Sequence, residues 1–120
     1  MPEVSKEAVG LDDAVQSLVK SIEEIRGQLC SGQFEFSRHA FRRTVERNIS
    51  EYEIREVGKD AILIEDYPDD KYSLSCLLLG FTSAGRPLHL QVSVIDAELV
   101  KIITIYEPDP IQWIDYSRRR

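Results

Sequence analysis

The chain has only two cysteines, Cys30 and Cys76, two histidines and one tryptophan in 120 residues. Two thiols are too few for a disulfide framework or, by themselves, for a zinc site. No apolar run approaches the ~20 residues that a transmembrane helix needs. The opening Met-Pro-Glu-Val-Ser-Lys-Glu lacks the basic-then-apolar order of a secretory signal. The simplest compartment is therefore the cytoplasm, with both thiols reduced. There is no GxGxxG, phosphate loop, HExxH or Cys-x-x-Cys, so no cofactor or metal centre is indicated. Asp69-Asp70 reads as turn chemistry before it reads as a Mg²⁺ site. Ser73, Ser75 and Cys76 alternate along a strand without an evident activating partner. A basic excess is also missing: 21 acids face 15 bases, for a net charge of −6. That balance argues against a general nucleic-acid coat. It leaves room for an enzyme that meets RNA at one local positive site.

Such a site is present. Residues 38–47 carry four Arg against one Glu. The stretch Phe36-Ser-Arg-His-Ala-Phe-Arg-Arg-Thr-Val-Glu-Arg-Asn-Ile49 predicts a short helix with Ser37 as N-cap. Helical spacing places Phe41, Thr44, Val45 and Asn48 on one side, with Ala40 at its edge. His39, Arg43 and Arg47 fall in line on the other, flanked by Arg42 and Glu46. Residues 51–70 then hold eight acids and two bases, either a solvated face or a docking surface for a basic partner.

The length allows one domain with one modest core. Residues 1–10 read as a flexible N-terminus, and 11–120 as a single α+β domain. Apolar steps of three and four from Leu11 to Leu29 predict an amphipathic helix. Phe34–Phe36 is either an edge strand or a lead-in to the Arg-bearing helix. Ser50-Glu-Tyr-Glu53 is a capping-box sequence, predicting a helix from Glu51 to about Val57 that ends near Gly58. The two short helices meet in a tight corner at Asn48–Ser50. From Ala61 the chain becomes strand-like: Ala61–Tyr67, Tyr72–Phe81, Leu88–Val94 and Leu99–Tyr106. The near-continuous Leu74–Leu79 run suggests a strand covered on both faces. In the third strand Leu88, Leu90, Val92 and Val94 point inward, and His89, Gln91 and Ser93 outward. Pro108 and Pro110 end the last strand, and Trp113 and Tyr116 fold back before the Arg118–Arg120 tail. The expectation is N-terminal helices packed on a C-terminal antiparallel sheet of about four strands.

His39-Ala-Phe-Arg-Arg43-Thr-Val-Glu-Arg47-Asn-Ile49 resembles the HAxxRMxxRxI signature of the bacterial domain-of-unknown-function family numbered 4258. Phe36-Ser37, Ile64–Pro68, Leu78–Gly80, Pro87–His89, Ile103–Asp109, Trp113 and the final arginines fit the same family, over roughly residues 11–120. Thr44 departs from it, standing where the family has Met. Members are often encoded beside MqsA-like zinc-finger antitoxins, and the family is similar to RelE-type ribonuclease toxins. The resemblance thus implies a RelE-like fold, a toxin that cleaves RNA, and an MqsA-like antitoxin as partner.

Metal-independent RNA cleavage needs a base for the 2′-hydroxyl, an acid for the leaving oxygen and cations on the phosphate. The candidates are His39 or His89 as acid/base, with Arg43 and Arg47 as the phosphate clamp. Tyr106 can donate a hydrogen bond, Trp113 can stack on a base, and Arg118 can add a phosphate contact. The same residues also have a structural reading. His39 then caps or packs, and Arg43 and Arg47 pair with Glu46, Glu51 or Glu107. Tyr106 and Trp113 become core-edge aromatics, and Arg118–Arg120 a mobile charged tail. On that reading the chain is a non-catalytic interaction module. Convergence discriminates the two, since a nuclease needs these groups in one open concavity.

Overall fold

A computed structural model of the chain describes residues 19–68 and 74–120. From its start the chain forms α1 (Ile22–Cys30), β1 (Phe34–Phe36), α2 (Arg38–Glu46), α3 (Glu51–Lys59) and β2 (Ile62–Tyr67). It continues with β3 (Ser75–Phe81), β4 (Pro87–Ser93), β5 (Val100–Tyr106), β6 (Trp113–Ile114) and β7 (Arg118–Arg119).

Local signals at the helix ends explain most of these bounds. α1 opens on a capping box: the Ser21 hydroxyl accepts from the Glu24 N–H at 3.2 Å, and the Glu24 carboxylate accepts from the Ser21 N–H at 3.2 Å. The helix therefore begins at Ile22, not at Leu11. Val19 instead bridges to Ile95, and the Lys20 N–H donates to the Val94 carbonyl at 2.7 Å. The remainder of the predicted helix, residues 11–18, and the predicted flexible residues 1–10 lie outside the described residues. α2 starts as expected, with Ser37 accepting from the Ala40 N–H at 3.0 Å. It ends at Glu46 with Arg47 as C-cap, and Asn48 just beyond has a left-handed φ of 52°. There the Ile49 N–H reaches the Thr44 carbonyl and the Asn48 N–H that of Val45, a Schellman closure with Asn in the place of glycine. The Ser50/Glu53 box starts α3 two residues later, which produces the tight corner.

Gly58 does not end α3. The helix runs on to Lys59, and Gly58 serves the packing of α1 on α3: a Cβ there would lie 2.3 Å from the Leu29 Cβ. A glycine near a helix end thus marks a close approach here, not a cap.

The main sheet has five strands in the order β1-β5-β4-β3-β2. β2 to β5 form the expected antiparallel meander, while β1 pairs parallel with β5, Phe34 opposite Val100 and Phe36 opposite Ile102. The sheet is thus mixed and five-stranded, not antiparallel and four-stranded. β1 also lies between α1 and α2, so the helices do not all precede the sheet. Three residues are too few to show strand alternation, and the parallel pairing is non-local. Ile25, Leu29, Ile54 and Val57 from the helices bury against Leu78, Leu88, Leu90, Ile102 and Ile105 of the sheet. Each such side chain contributes roughly 1.5–3 kcal/mol on leaving water. Gly80 seats α3 on β3, since a Cβ there would meet the Val57 carbonyl at 2.4 Å.

β5 carries a bulge. Gln91 faces Thr104 and Val92 faces Ile102, leaving Ile103 as the extra residue. The Ile103 carbonyl accepts from the Ser37 hydroxyl at 2.7 Å, and the Ile102 carbonyl from the Ser37 N–H at 2.9 Å. One serine therefore caps α2 and fastens its first turn to the sheet.

Candidate functional site

α2 sits rotated from the face its apolar residues predict. Ala40 and Thr44 are its buried positions, whereas Phe41 is 59% and Val45 68% exposed. Two small side chains allow the helix backbone to approach β5, and Ser37 fixes its rotation. Thr44 hides its hydroxyl by donating to the Phe41 carbonyl at 2.6 Å. The large residues are left outside.

His39, in the first turn, is exposed and lines an open cleft of about 870 Å³. The cleft lies against the outer sides of β4 and β5. Its polar lining includes Glu35, Ser37, Gln91, Lys101 and Thr104, and its apolar wall includes Ile95, Leu99 and Ile103. Glu35 and Lys101 are register partners across β1 and β5. Gln91 is held by donating its amide to the Ser75 hydroxyl at 3.0 Å. An imidazole, the two carboxylates of Glu35 and Glu98 and an ammonium thus share one open concavity.

Arg43 and Arg47 do not line that cleft. Arg43 pairs with Glu46 at 3.1 Å on the surface. Arg47 is exposed, and its carbonyl accepts from Arg86 Nη2 at 2.9 Å. Arg86, in the loop before β4, is a cation that no local sequence motif marks. It donates to Glu107 at 2.8 Å, to the Glu53 carboxylate at 3.1 Å and to the Asn48 carbonyl at 3.0 Å. Burial pushes the Glu53 carboxyl up, but bonds from the Ser50 N–H and from Arg86 outweigh it and hold the group below the usual range. Glu107 is therefore taken by Arg86, not by the arginines of α2.

His89 is in a different environment. Its strand side is the predicted one, yet the imidazole has no exposed surface. Nε2 lies 2.6 Å from the Tyr116 carbonyl, and Nδ1 lies 3.1 Å from the Tyr106 hydroxyl. A carbonyl only accepts, so Nε2 carries the hydrogen and Nδ1 accepts from Tyr106. Burial lowers the pKa of His89 and raises that of Tyr106. Trp113 stands edge-on to the imidazole at 4.5 Å and is itself buried, with the Arg119 guanidinium 4.7 Å above its ring. Arg119 grips Glu65 through two bonds of 2.8 and 3.1 Å, and Tyr67 donates to the same carboxylate. Burial and that bond push the Tyr67 hydroxyl up to about 12. Asp115 and Tyr116, with φ of 51° and 61°, make the turn between β6 and β7.

His89, Tyr106 and Trp113 are therefore brought together, but in a closed polar cluster under the C-terminal hairpin. Trp113 has no open face for a base, and Arg118 is a strand residue opposite Ile114, not part of a mobile tail. Pro108 and Pro110 foretold the reversal but not what it would cover. Cys76 is buried, and desolvation, with the nearby Asp66 charge, pushes its thiol up to about 12, far from a nucleophile. Asp69, Asp70 and Ser73 lie outside the described residues.

These observations define an α+β domain with a His-bearing cleft on the outer side of a mixed sheet. Residues 36–107, more than half of the chain, match the family model described as Domain of unknown function (DUF4258), and the chain belongs to that family. The matched span contains His39 and the polar lining of the cleft other than Glu35, but stops before Trp113, Tyr116 and Arg119, which close over His89. No curated protein and no solved structure matches the chain. No helix among the described residues is long and apolar enough to cross a membrane.

Proposed function

We propose that the chain is an endoribonuclease, the toxin of a toxin–antitoxin pair, and that its chemistry takes place at His39. The observation that carries this reading is the exposed imidazole of His39 in the same open cleft as Glu35 and Lys101. Glu35 serves as the base and His39, as the imidazolium, as the acid of a transesterification. The base takes the 2′-hydroxyl proton, the 2′-oxygen attacks phosphorus, and the 5′-oxygen leaves with a proton from the acid. The products are a 2′,3′-cyclic phosphate and a 5′-hydroxyl. Lys101 neutralises charge on the phosphorane-like transition state. His89 takes no part. The RNA-cleaving class and an MqsA-like antitoxin as partner are what the sequence resemblance implies.

The test is cleavage of end-labelled single-stranded RNA by purified protein with chelator present. Wild type produces cyclic-phosphate ends, and His39→Ala loses roughly 100-fold or more in rate. Equal cleavage by both proteins contradicts the assignment. One observation favours a second reading as a non-catalytic interaction module: Phe41 and Val45 are apolar, adjacent on the helix and exposed. No cleavage by either protein, with or without ribosomes, moves the weight to that reading.

A further inference from the structure

The rotation of α2 leaves a stripe that the cleft does not use. Positions 38, 41, 42 and 45 follow the i, i+3, i+4, i+7 spacing of one helix face. All four are exposed: Arg38, Phe41, Arg42 and Val45. Among the described residues neither Arg38 nor Arg42 forms an ion pair with a carboxylate. The Phe41 ring is braced from below. It lies 6.2 Å from Phe36 at 57°, and Phe36 lies 5.6 Å from Phe34 in an edge-on contact. Phe34 and Phe36 are fixed in turn by the β1–β5 pairing and pack against the core. An aromatic ring packed on a second ring that is itself packed on a third, open on its outer side and flanked on the helix face by two arginines, suits a nucleobase with phosphates to either side. Aromatic residues and arginine also serve protein interfaces, but four Arg against one Glu over residues 38–47, with Arg38 and Arg42 free of a carboxylate partner among the described residues, favour a polyanionic occupant.

We propose that this stripe is a stacking platform for single-stranded nucleic acid, tolerant of base sequence. It leads the strand around α2 to His39, one helix face away. The platform's role in delivering substrate rests on the nuclease reading above, but the binding itself does not require cleavage.

The test uses a labelled oligothymidine, which lacks the 2′-hydroxyl and so reports binding without cleavage, in fluorescence anisotropy at several salt concentrations. Phe41→Ala weakens binding roughly ten-fold, and Phe41→Trp retains it. Arg38→Gln and Arg42→Gln each flatten the slope of log Kd against log salt by about 0.7. Phe41 is mostly exposed, so the thermal midpoints of these variants stay near that of wild type and serve as a folding control. Equal binding by wild type and Phe41→Ala overturns the proposal, as does a wild type that does not bind. Unchanged oligothymidine binding together with lost self-association in Phe41→Ala overturns it in favour of a protein contact. The two readings fail separately. Phe41-dependent binding without RNA cleavage sinks the nuclease and leaves the platform. RNA cleavage with binding indifferent to Phe41 does the reverse.

Discussion

His39 and His89 are the chain's only histidines, and their surroundings are opposite, the first exposed and the second buried. His89 is held at both ring nitrogens in a closed cluster, so replacing it leaves the Tyr106 hydroxyl and the Tyr116 carbonyl without partners beside a cavity. His89→Ala is expected to cost about 3 kcal/mol in urea unfolding, while His39→Ala changes stability by less than about 0.5 kcal/mol. The pH dependence follows from the lowered pKa of His89. Below the ordinary histidine value of about 6.5, the unfolded chain takes up a proton that the folded chain resists. The His89 contribution is thus complete above that value. It is lost as pH falls from there towards the folded pKa. Unfolding free energies compared between pH 7.5 and 5.5 should show a drop for wild type that is smaller in His89→Phe. An equal drop in both proteins places the titration elsewhere.

At the scale of elements, two glycines separate packing from propensity. Gly27 is exposed in the middle of α1, and a Cβ there meets nothing within 4 Å. Gly27→Ala should stabilise by up to about 1 kcal/mol, the gain in helix propensity. Gly58 is also helical, but its Cβ would meet Leu29, so Gly58→Ala should destabilise by about 1–3 kcal/mol despite the same propensity gain. Chemical denaturation of the two variants checks both signs at once. What was legible in the sequence divides in the same way. Ser37, the Asn48 corner and the Ser50/Glu53 box were readable because a cap is a contact between residues three apart. Ser21 and Glu24 were equally local, but the apolar spacing running from Leu11 obscured them. The facing of α2 was misread because burial there falls to Ala40 and Thr44, which contribute little to an apolar pattern, while Phe41 and Val45 dominate it. The β1–β5 pairing, the bulge at Ile103 and the covering of His89 depend on residues tens of positions apart, which periodicity does not register.

At the scale of the whole molecule, Arg86 joins what the sequence separates. Its guanidinium binds the Arg47 and Asn48 carbonyls just past α2, the Glu53 carboxylate that caps α3, and Glu107 just past β5. Three elements that frame the helical corner share one cation, so Arg86→Met should cost about 2 kcal/mol, more than a surface ion pair is worth. A loss no larger than that of Glu46→Gln in the same melting series would show that the node carries no special weight. The net charge of −6 is likewise segregated. The acids gather in residues 51–70, while α2 presents unpaired guanidiniums beside the cleft, a local field that can draw in an anion the chain as a whole would repel.

The central claim is that a nucleic-acid ligand meets His39 and never reaches His89. The most direct measurement is NMR of the imidazole Cε1–H resonances while the oligothymidine is added. The His39 resonance should move with saturable dependence on ligand, while that of His89 keeps its position. A shift at His89 with none at His39 would contradict it.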